Sequence, residues 1–403
     1  MLKLSNRQFN KLFTPELIFI FEKILSRNAS IRLVGGCVRD ILLNHPIKDI
    51  DLATSMPPNE VISLFNDNKV YCIPTGLKHG TVTLVVNDST FEITTLRKDL
   101  KCFGRHADVQ FTDDWEEDAK RRDFTINAMS IDFTGKIYDY FAGYADIKNK
   151  KVKFVGESVK RIEEDYLRAL RYFRFISYLG TENLDSKSFN TAIKYIPKLF
   201  EISPERIRLE MKKILTYKYA KNVIKIFIKN NCLKYVGLSE ICSDQLEKLR
   251  FSKDFIINSA ALLLINTKPI SLDNINFVSS AWRLSNKEKT LLKNLSFPKI
   301  QISFKNPIKD IQERYLYLLG REFYKDLLKL KYVLGERLDF KILLSIAKNF
   351  NVRTLPIDGN DIKNLGFEGE SIGKLLRISE KYWIDNDFFP KKEDLIKFIK
   401  SEK

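Results

Sequence analysis

The sequence predicts a small α/β head, with a mixed sheet and helices, followed by an elongated, mostly α-helical remainder. Up to about Tyr140, short apolar runs typical of strands alternate with helical patterns. Beyond about Lys151, strand signals nearly vanish and helical periodicity with frequent lysine continues. Four prolines punctuate the helical part and mark candidate boundaries: Pro204, Pro298, Pro307 and Pro356.

The composition is that of a globular protein with a strongly basic surface. The chain has 403 residues, of which 44% are hydrophobic, which is enough for several domains with packed cores. Lysine and arginine total 68 against 51 acidic residues, so the net charge is +17. Such an excess favours a polyanionic partner, most commonly nucleic acid. The alternative is a lysine-rich compositional bias, since Ile, Asn, Phe and Tyr are also abundant.

The five cysteines predict neither a disulfide framework nor a zinc site. Their number is odd and no pair has CxxC spacing, so we expect a reducing compartment and a cytoplasmic location. No apolar run approaches the roughly 18 residues that cross a bilayer, and the N-terminal segment lacks the apolar core of a secretion signal. We therefore expect no membrane association, and the composition implies no protein partner.

The most informative segment is IRLVGGCVRD, Ile31–Asp40, which is followed by Asp49-Ile50-Asp51. Its first four residues predict a buried strand, its glycines a turn whose N–H groups can approach an anion, and Val38–Leu43 a helix. Because side chains alternate along a strand, Asp49 and Asp51 are predicted on one face of the next strand, with Ile50 in the core. Two such carboxylates repel each other unless a cation lies between them, and Mg²⁺ with nucleotide phosphates is the usual one. Each feature alone is weak evidence, because a Gly-Gly pair is more often an ordinary turn and an Asp-x-Asp pair is more often part of the solvated surface.

In this order and at this spacing, the segment resembles the nucleotidyltransferase superfamily that includes DNA polymerase beta. Within it, the chain resembles the class II tRNA nucleotidyltransferases, or CCA-adding enzymes, and the bacterial poly(A) polymerases. The motifs follow the family order from about Ile31 to Met211. The resemblance implies a catalytic head over 1–150, a neck with a nucleotide-selecting helix over 151–220, a helical body over 221–330 and a helical tRNA-binding tail over 331–403.

Two further parts of the head carry predictions. The runs Thr81–Val86 and Phe91–Leu96, separated by four polar residues, predict a β-hairpin. Glu92 interrupts the second run; alone it would be an outward-facing charge, whereas the resemblance makes it a third catalytic carboxylate beside the metal pair. Arg97–Asp114 is polar and charged and predicts a mobile loop, which in the family helps the enzyme to change from CTP to ATP.

The segment RRDFTINAM, Arg121–Met129, matches the second family motif. The resemblance implies that Arg122 contacts the ribose or phosphate of the nucleotide through its planar set of donors. It also implies that Asp123 and Asn127 orient Arg122 or touch the ribose. The alternative is a capped helix with Asp123 at its N-cap, and the two interpretations are compatible.

A single helix is predicted over Glu157–Phe175, which has an apolar stripe and no breaker. Asp165, Arg168, Arg171 and Arg174 follow one another on it at intervals of three, so the first two are neighbours on one face. One interpretation is an intrahelical ion pair worth at most about 0.5 kcal/mol. The other is base recognition. Cytosine and adenine both present an amine beside a ring-nitrogen acceptor, so one carboxylate and one guanidinium can read both, whereas uracil and guanine reverse this polarity.

In the CCA-adding family the EDxxR motif, here Glu164–Arg168, serves this base recognition, and Arg171 and Arg174 then fall nearer the triphosphate. SPERIRLEM, Ser203–Met211, resembles the last family motif and predicts a helix start with Ser203 as its cap. The chain has only three histidines, which excludes the metal-dependent HD phosphohydrolase domain of some relatives.

The resemblance implies an enzyme that adds C, C and A to the 3′ end of tRNA without a template, using CTP, ATP and Mg²⁺ and releasing pyrophosphate. Asp49 and Asp51 are the implied metal ligands. The implied nucleotide-binding residues are Gly36, Arg39, Arg122, Asp123, Asn127, Asp165, Arg168, Arg171 and Arg174. The basic helical body is expected to hold the tRNA by its backbone and shape.

Two alternatives remain at this point. A poly(A) polymerase, or a tRNA nucleotidyltransferase that adds only CC or only A, shares all these motifs. A non-catalytic RNA-binding protein on the same fold belongs to a different class. The complete set of Asp49, Asp51 and Glu92 argues against it, because a binding protein has no use for a metal cluster.

Overall fold

The computed structural model describes residues 2–66, 70–103, 106–305 and 307–401. The predicted mixed-sheet head followed by helices is confirmed. The chain divides into two compact units, one of Met1–Ser243 with Asn276–Leu284 and the other of Asp244–Ile275 with Ser285–Lys403. None of the described helices combines the length and the apolar composition of a membrane span.

The head is built on a mixed sheet with the strand order β3-β4-β5-β2-β1-β8-β9, and β6 and β7 form a separate two-stranded ribbon. The strands are β1 (Ile31–Val34), β2 (Ile50–Thr54), β3 (Val70–Gly76), β4 (Thr81–Val86), β5 (Ser89–Thr95), β6 (Arg97–Phe103), β7 (His106–Phe111), β8 (Ser130–Ile131) and β9 (Ile137–Tyr138). At the centre of the sheet, β2 runs parallel to β5 and antiparallel to β1.

Helices account for most of the remaining described residues. In the first half of the chain they are α1 (Asn6–Leu12), α2 (Pro15–Leu25), α3 (Gly36–Leu42), α4 (Pro58–Leu64), α5 (Trp115–Lys120), α6 (Gly143–Lys148), α7 (Ser158–Glu164), α8 (Leu167–Leu179), α9 (Ser186–Tyr195) and α10 (Pro204–Thr216). Further along they are α11 (Ala220–Lys229), α12 (Ser243–Leu246), α13 (Phe255–Leu264), α14 (Leu272–Ala281), α15 (Asn286–Ser296), α16 (Lys309–Leu319), α17 (Arg321–Val333), α18 (Phe340–Asn349), α19 (Gly359–Lys363), α20 (Glu370–Asp385) and α21 (Lys392–Ser401).

The strand, turn and helix predicted for Ile31–Asp40 are confirmed as β1, Gly35 and α3. The prediction for the following carboxylates is wrong in part, because β2 begins at Ile50 and Asp49 precedes it. Ile50 is also partly exposed rather than part of the core. The reason is that Ile50 is the first residue paired with β5, so it lies at the end of the ladder, where both faces of the strand approach the surface.

The hairpin predicted from two apolar runs is confirmed as β4 and β5, which pair antiparallel from Thr81–Thr94 to Val86–Ser89. The loop predicted over Arg97–Asp114 is wrong for Arg97–Phe103 and His106–Phe111, because β6 and β7 form an antiparallel ribbon there. Residues 112–114 belong to no strand. Residues 104 and 105 of that segment lie outside the described residues. Backbone ladder hydrogen bonds do not require apolar side chains, so a polar ribbon gives no hydrophobic pattern in the sequence.

The single helix predicted over Glu157–Phe175 is wrong, because α7 ends at Glu164 and α8 begins at Leu167. Asp165 between them has an extended backbone with φ −158°. Its carboxylate accepts a hydrogen bond from the Leu167 N–H at 3.2 Å and its carbonyl accepts one from the Arg168 N–H at 2.9 Å. Aspartate side chains compete in this way with helical hydrogen bonds, so Asp165 opens α8 instead of continuing α7.

Helix α8 belongs to the first unit and packs against α9, α10 and α11. Its predicted apolar stripe is buried, with Leu170 and Phe173 fully inaccessible to solvent. Helix α10 begins at Pro204 after Ser203, as the last motif predicts, although the Ser203 side chain makes no capping hydrogen bond. The packing of α8 on α10 fixes the polar residues of both helices relative to each other.

The elements given above for the second unit are all helices. Helix α13 is apolar on all sides and packs against α15 and α17, which explains why it is almost wholly buried. A separate hydrophobic cluster includes Ile362, Trp383 and Leu395 from the last three helices.

Candidate active site

A cavity of about 520 Å³ lies where β1, α3, α8 and α10 approach one another, and its lining is dominated by cations. Three carboxylates also line it: Asp51, Asp123 and Asp165. The cationic side chains are Arg39, Arg122, Arg168, Arg171, Arg174, Arg206 and Lys213. Gly35, Gly36, Asn127, Leu167 and Phe175 complete the lining. A cavity with this charge fits a polyanionic ligand of nucleotide size.

The glycine turn allows three functional side chains to converge on the backbone. Gly35 has φ +75°, and a Cβ atom there would lie 3.1 Å from Nη1 of Arg122 and 3.5 Å from Oδ2 of Asp51. A Cβ atom at Gly36 would lie 3.6 Å from Nη2 of Arg39. Glycine at Gly35 is therefore required both by the positive φ and by the close approach of Arg122.

We expect Gly35→Ala to lower the affinity for CTP, the nucleotide that the family resemblance implies, by at least about tenfold. It should also lower the melting temperature, since the strained backbone costs about 1–3 kcal/mol. Calorimetric titration with CTP and thermal unfolding measure the two effects. Gly156→Ala is the matched control, because Gly156 has φ +68° but no atom within 4 Å of its Cβ position. Unchanged CTP affinity in Gly35→Ala would show that the turn does not contribute to the nucleotide site.

Arg39 is held in place from several directions. Its Nε and Nη2 atoms each donate to the carboxylate of Asp40 at 2.9 Å, and its Nη1 donates to Oδ1 of Asn127 at 2.7 Å. The Nδ2 atom of Asn127 in turn donates to Oδ1 of Asp123 at 3.0 Å. The guanidinium also lies 5.1 Å from the ring centroid of Phe175. Its planar donors are therefore fixed before any ligand arrives.

The partner of Arg122 is Asp118, whose Oδ2 accepts from Nη2 of Arg122 at 3.2 Å. Burial raises the pKa of Asp118, but the charges of Arg121 and Arg122 outweigh it and hold that pKa below its usual value. The side chains that were expected to orient Arg122 have other partners, since Asp123 contacts Arg171 and Asn127 contacts Arg39. Sequence reasoning missed Asp118, which the four-residue spacing to Arg122 could have indicated.

Arg171 and Arg174 are held by two buried acids. Nε of Arg171 donates to Oδ2 of Asp123 at 2.8 Å, and Nη1 of Arg174 donates to Oε1 of Glu210 at 3.1 Å. Burial opposes ionisation of Asp123, but the charge of Arg171 prevails and its pKa lies well below the usual value. Burial and the neighbouring Arg171 lower the pKa of Arg174 to about 10. Glu210 is a further residue that sequence reasoning missed.

Lys213 on α10 lines the same cavity as Arg171 and Arg174 of α8, and sequence reasoning missed it too. Burial and the charge of Arg174 lower the pKa of its ammonium group. The effect of Arg174 indicates that positive charge is concentrated here, which favours an anion in the cavity.

Asp165 and Arg168 both line the cavity but do not form the ion pair that is the simpler interpretation of their spacing. Nη1 of Arg168 donates to Oε2 of Glu164 at 2.5 Å and to the carbonyl of Arg161 at 3.0 Å. Oδ2 of Asp165 accepts from Nη2 of Arg206 at 2.6 Å. Each side chain is thus fixed by a different partner, and a carboxylate and a guanidinium face the same space.

A second cavity of about 610 Å³ lies at the ends of β2 and β5, and Asp51 lines both cavities. Asp51 pairs with Glu92 across the two parallel strands, and Asp49 and Glu92 are both exposed. Burial first, and then the charges of Glu92 and Asp49, raise the pKa of Asp51.

These carboxylates fit a hard divalent cation, because they offer only oxygen donors and because the charges of Arg122 and Arg39 only partly offset the repulsion at Asp51. Within the described residues, no three carboxylate, imidazole or thiol groups form a ready-made metal cage. Mg²⁺ in nucleotide sites is generally held by one or two carboxylates together with substrate phosphates and water.

The chain matches two family models in this region. Residues 31–153 match the poly A polymerase head domain, and residues 183–240 match the model described as the probable RNA and SrmB- binding site of polymerase A. The first match spans β1, the glycine turn and the carboxylates of β2 and β5.

Curated and solved relatives are similar over nearly the whole chain. The human protein CCA tRNA nucleotidyltransferase 1, mitochondrial, is 33% identical over 408 residues, covering 99% of this chain and 93% of the relative. The CCA-adding enzyme of Lactobacillus delbrueckii is 33% identical over 391 residues, covering 93% and 94%. The structure of the Bacillus stearothermophilus CCA-adding enzyme in complex with CTP superposes with a TM-score of 0.81 at 26% identity, covering 97% of this chain and 98% of that one.

Proposed function

The chain belongs to the CCA-adding tRNA nucleotidyltransferases, and from this premise we propose the roles of the residues that line its two cavities. The protein adds C, C and A to the 3′ end of tRNA without a nucleic acid template, using CTP and ATP and releasing pyrophosphate. The observation that supports the assignment of roles is that an arginine-lined cavity and a carboxylate-lined cavity share Asp51. The tRNA 3′-hydroxyl and the nucleoside triphosphate react at the α-phosphorus atom, so their two binding cavities must meet, and they meet at Asp51.

The arginine-lined cavity takes the nucleoside triphosphate. Arg39, Arg122, Arg171 and Arg174 donate to its phosphates, and the N–H groups of the turn at Gly36 approach the same oxygens. Because buried acids hold these guanidinium groups in fixed positions, little side-chain entropy is lost when the nucleotide binds. Asp123 and Asn127 act by holding Arg171 and Arg39.

Asp49 and Asp51 would hold Mg²⁺, which when bound stabilises charge on the phosphates and lowers the pKa of a hydroxyl group beside it. Asp51 lies between the two cavities and so faces both substrates. Glu92, one strand away, positions the attacking 3′-hydroxyl of the tRNA by accepting its hydrogen bond.

Base selection uses Asp165 and Arg168. The carboxylate accepts from the exocyclic amine of cytosine or adenine, and the guanidinium donates to N3 of cytosine or N1 of adenine. Arg206 and Glu164 keep the two side chains from pairing with each other, so both remain directed at the base. Uracil and guanine would leave these groups unpaired at about 1–3 kcal/mol each.

We propose further that the helices after α10 hold the tRNA through its phosphate backbone, which the net charge of +17 supports. We also propose that the protein works in the cytoplasm. The cysteines whose side chains are described, Cys37, Cys72, Cys232 and Cys242, are free thiols, which fits a reducing compartment.

A panel of nucleotides with a tRNA that lacks its terminal CCA tests this function. We expect CTP alone to extend the tRNA by two nucleotides, and CTP with ATP to extend it by three and no further. Gel electrophoresis at single-nucleotide resolution measures the products. Extension by many A residues would identify a poly(A) polymerase instead. Use of ATP but not CTP would identify an enzyme that adds only A, and use of CTP but not ATP would identify an enzyme that adds only CC.

A further inference from the structure

Tyr178 on α8 lies outside the family motifs and contacts the head at the last residue of the first motif. Its hydroxyl donates to Oδ1 of Asp40 on α3 at 2.8 Å, across 138 positions of sequence. Nδ1 of His45 contacts the same hydroxyl oxygen. A hydroxyl has one hydrogen, so when Tyr178 donates to Asp40, Nδ1 of His45 must be the donor to Tyr178. Tyr178 is thus fixed between two groups of the head.

Asp40 is the carboxylate that holds Arg39. The side chains of Arg39 and Asp40 are only 12% and 17% exposed, and two of the guanidinium nitrogens donate to Asp40. The ring of Tyr178 also lies 5.4 Å from the Cζ atom of Arg39. Burial and the charge of Asp40 raise the pKa of Tyr178, which keeps its hydroxyl protonated and able to donate.

We propose that Tyr178 is a positioning residue which, through Asp40, fixes the guanidinium of Arg39 toward the triphosphate. This inference rests on the proposed role of Arg39 as a phosphate ligand. Helix α8 also carries Arg171 and Arg174. The hydrogen bond from Tyr178 to Asp40 therefore aligns Arg39 of the head with these two arginines. The hydroxyl contributes to nucleotide affinity although it does not line the cavity.

Tyr178→Phe removes only the hydroxyl and keeps the ring. We expect the affinity for CTP and for ATP to fall by roughly tenfold, near the lower end of the effect of one lost hydrogen bond to a charged group. Affinity for cytidine should change little, because cytidine carries no phosphate for Arg39 to contact. The KM for both nucleotides should rise with little change in kcat, and the preference for C and A over U and G should stay constant.

A control and a double variant separate positioning from general destabilisation. Tyr317→Phe is the control. It also removes a tyrosine hydroxyl that donates a hydrogen bond to a carboxylate, that of Glu380 at 2.7 Å, but in the second unit. We expect that variant to bind CTP normally. In an Arg39→Ala background, Tyr178→Phe should cause no further loss of CTP affinity, because its effect acts through Arg39.

Additive losses in the double variant, or equal losses for CTP and cytidine, would overturn the inference. If Arg39→Ala weakens CTP binding and Tyr178→Phe does not, the inference fails and the proposed function stands. If a folded Arg39→Ala enzyme binds CTP normally, the proposed role of Arg39 fails as well.

Discussion

The Asp51→Asn enzyme is expected to lose nucleotide incorporation by at least about 1,000-fold while it still binds tRNA. Asparagine keeps the shape of the side chain and removes the charge that the bound metal requires. Metal stabilisation of a phosphoryl-transfer transition state is worth several kcal/mol, and each 1.4 kcal/mol corresponds to roughly a factor of ten in rate. The tRNA contacts proposed for the helical part do not involve Asp51. Single-turnover incorporation of CTP and filter binding of tRNA measure the two quantities.

The same variant should be at least as stable as the wild type in the absence of Mg²⁺. The raised pKa of Asp51 means that its ionised form is disfavoured in the folded protein, by burial and by Glu92 and Asp49. Removing the charge removes this repulsion, whereas Mg²⁺ should raise the melting temperature of the wild type more than that of the variant.

Asp88→Asn provides a matched control, because Asp88 lines the same second cavity without belonging to the carboxylate pair. It should retain most of the activity. Asp49→Asn should behave as Asp51→Asn does. Near-normal turnover of either the Asp49 or the Asp51 variant with Mg²⁺ would rule out their assignment as metal ligands.

The second large effect is expected for Arg168→Ala. If Arg168 donates to N3 of cytosine and N1 of adenine, its loss should lower incorporation of both CTP and ATP by roughly tenfold to a hundredfold, equivalent to about 1–3 kcal/mol. The difference in incorporation rate between these two nucleotides and UTP or GTP should become smaller. Alanine is a good helix former, so α8 should persist and thermal unfolding should change little. Asp165→Ala should give the same loss of discrimination. Single-turnover incorporation of all four nucleotides is the measurement.

Arg161→Ala tests whether a lost ion pair alone could explain such an effect. Arg161 also contacts Oε2 of Glu164, at 3.1 Å, but does not line the nucleotide cavity. Its loss removes an ion pair of the same kind without removing the proposed base contact. We expect its nucleotide preference to be that of the wild type. Unchanged preference in Arg168→Ala would mean that the base is recognised by other residues.

Local patterns predicted most of the elements around the site. The branched apolar run of β1, the glycine pair before α3, the β4–β5 hairpin and the proline at the start of α10 all depend on neighbours in sequence. Such features are set by hydrophobic periodicity, φ restrictions and end-capping, which act over a few residues. The break at Asp165 was not predicted, because the apolar stripe continues across it and only the carboxylate hydrogen bond reveals it.

The sequence by itself determined the family, the α/β head, the order of the motifs and most of the charged residues that line the nucleotide cavity, although Arg206 and Lys213 of that lining were found only in the structure. Only the tertiary structure decided which of those charges pair. Arg171 meets Asp123 across 48 positions, Arg174 meets Glu210 across 36, and Asp165 meets Arg206 across 41. A charged side chain has several possible partners at comparable energy in an unfolded chain. The packing of α8 on α10, and of the Phe175 ring on Phe124 of the head, selects among them by distance, which no local pattern encodes.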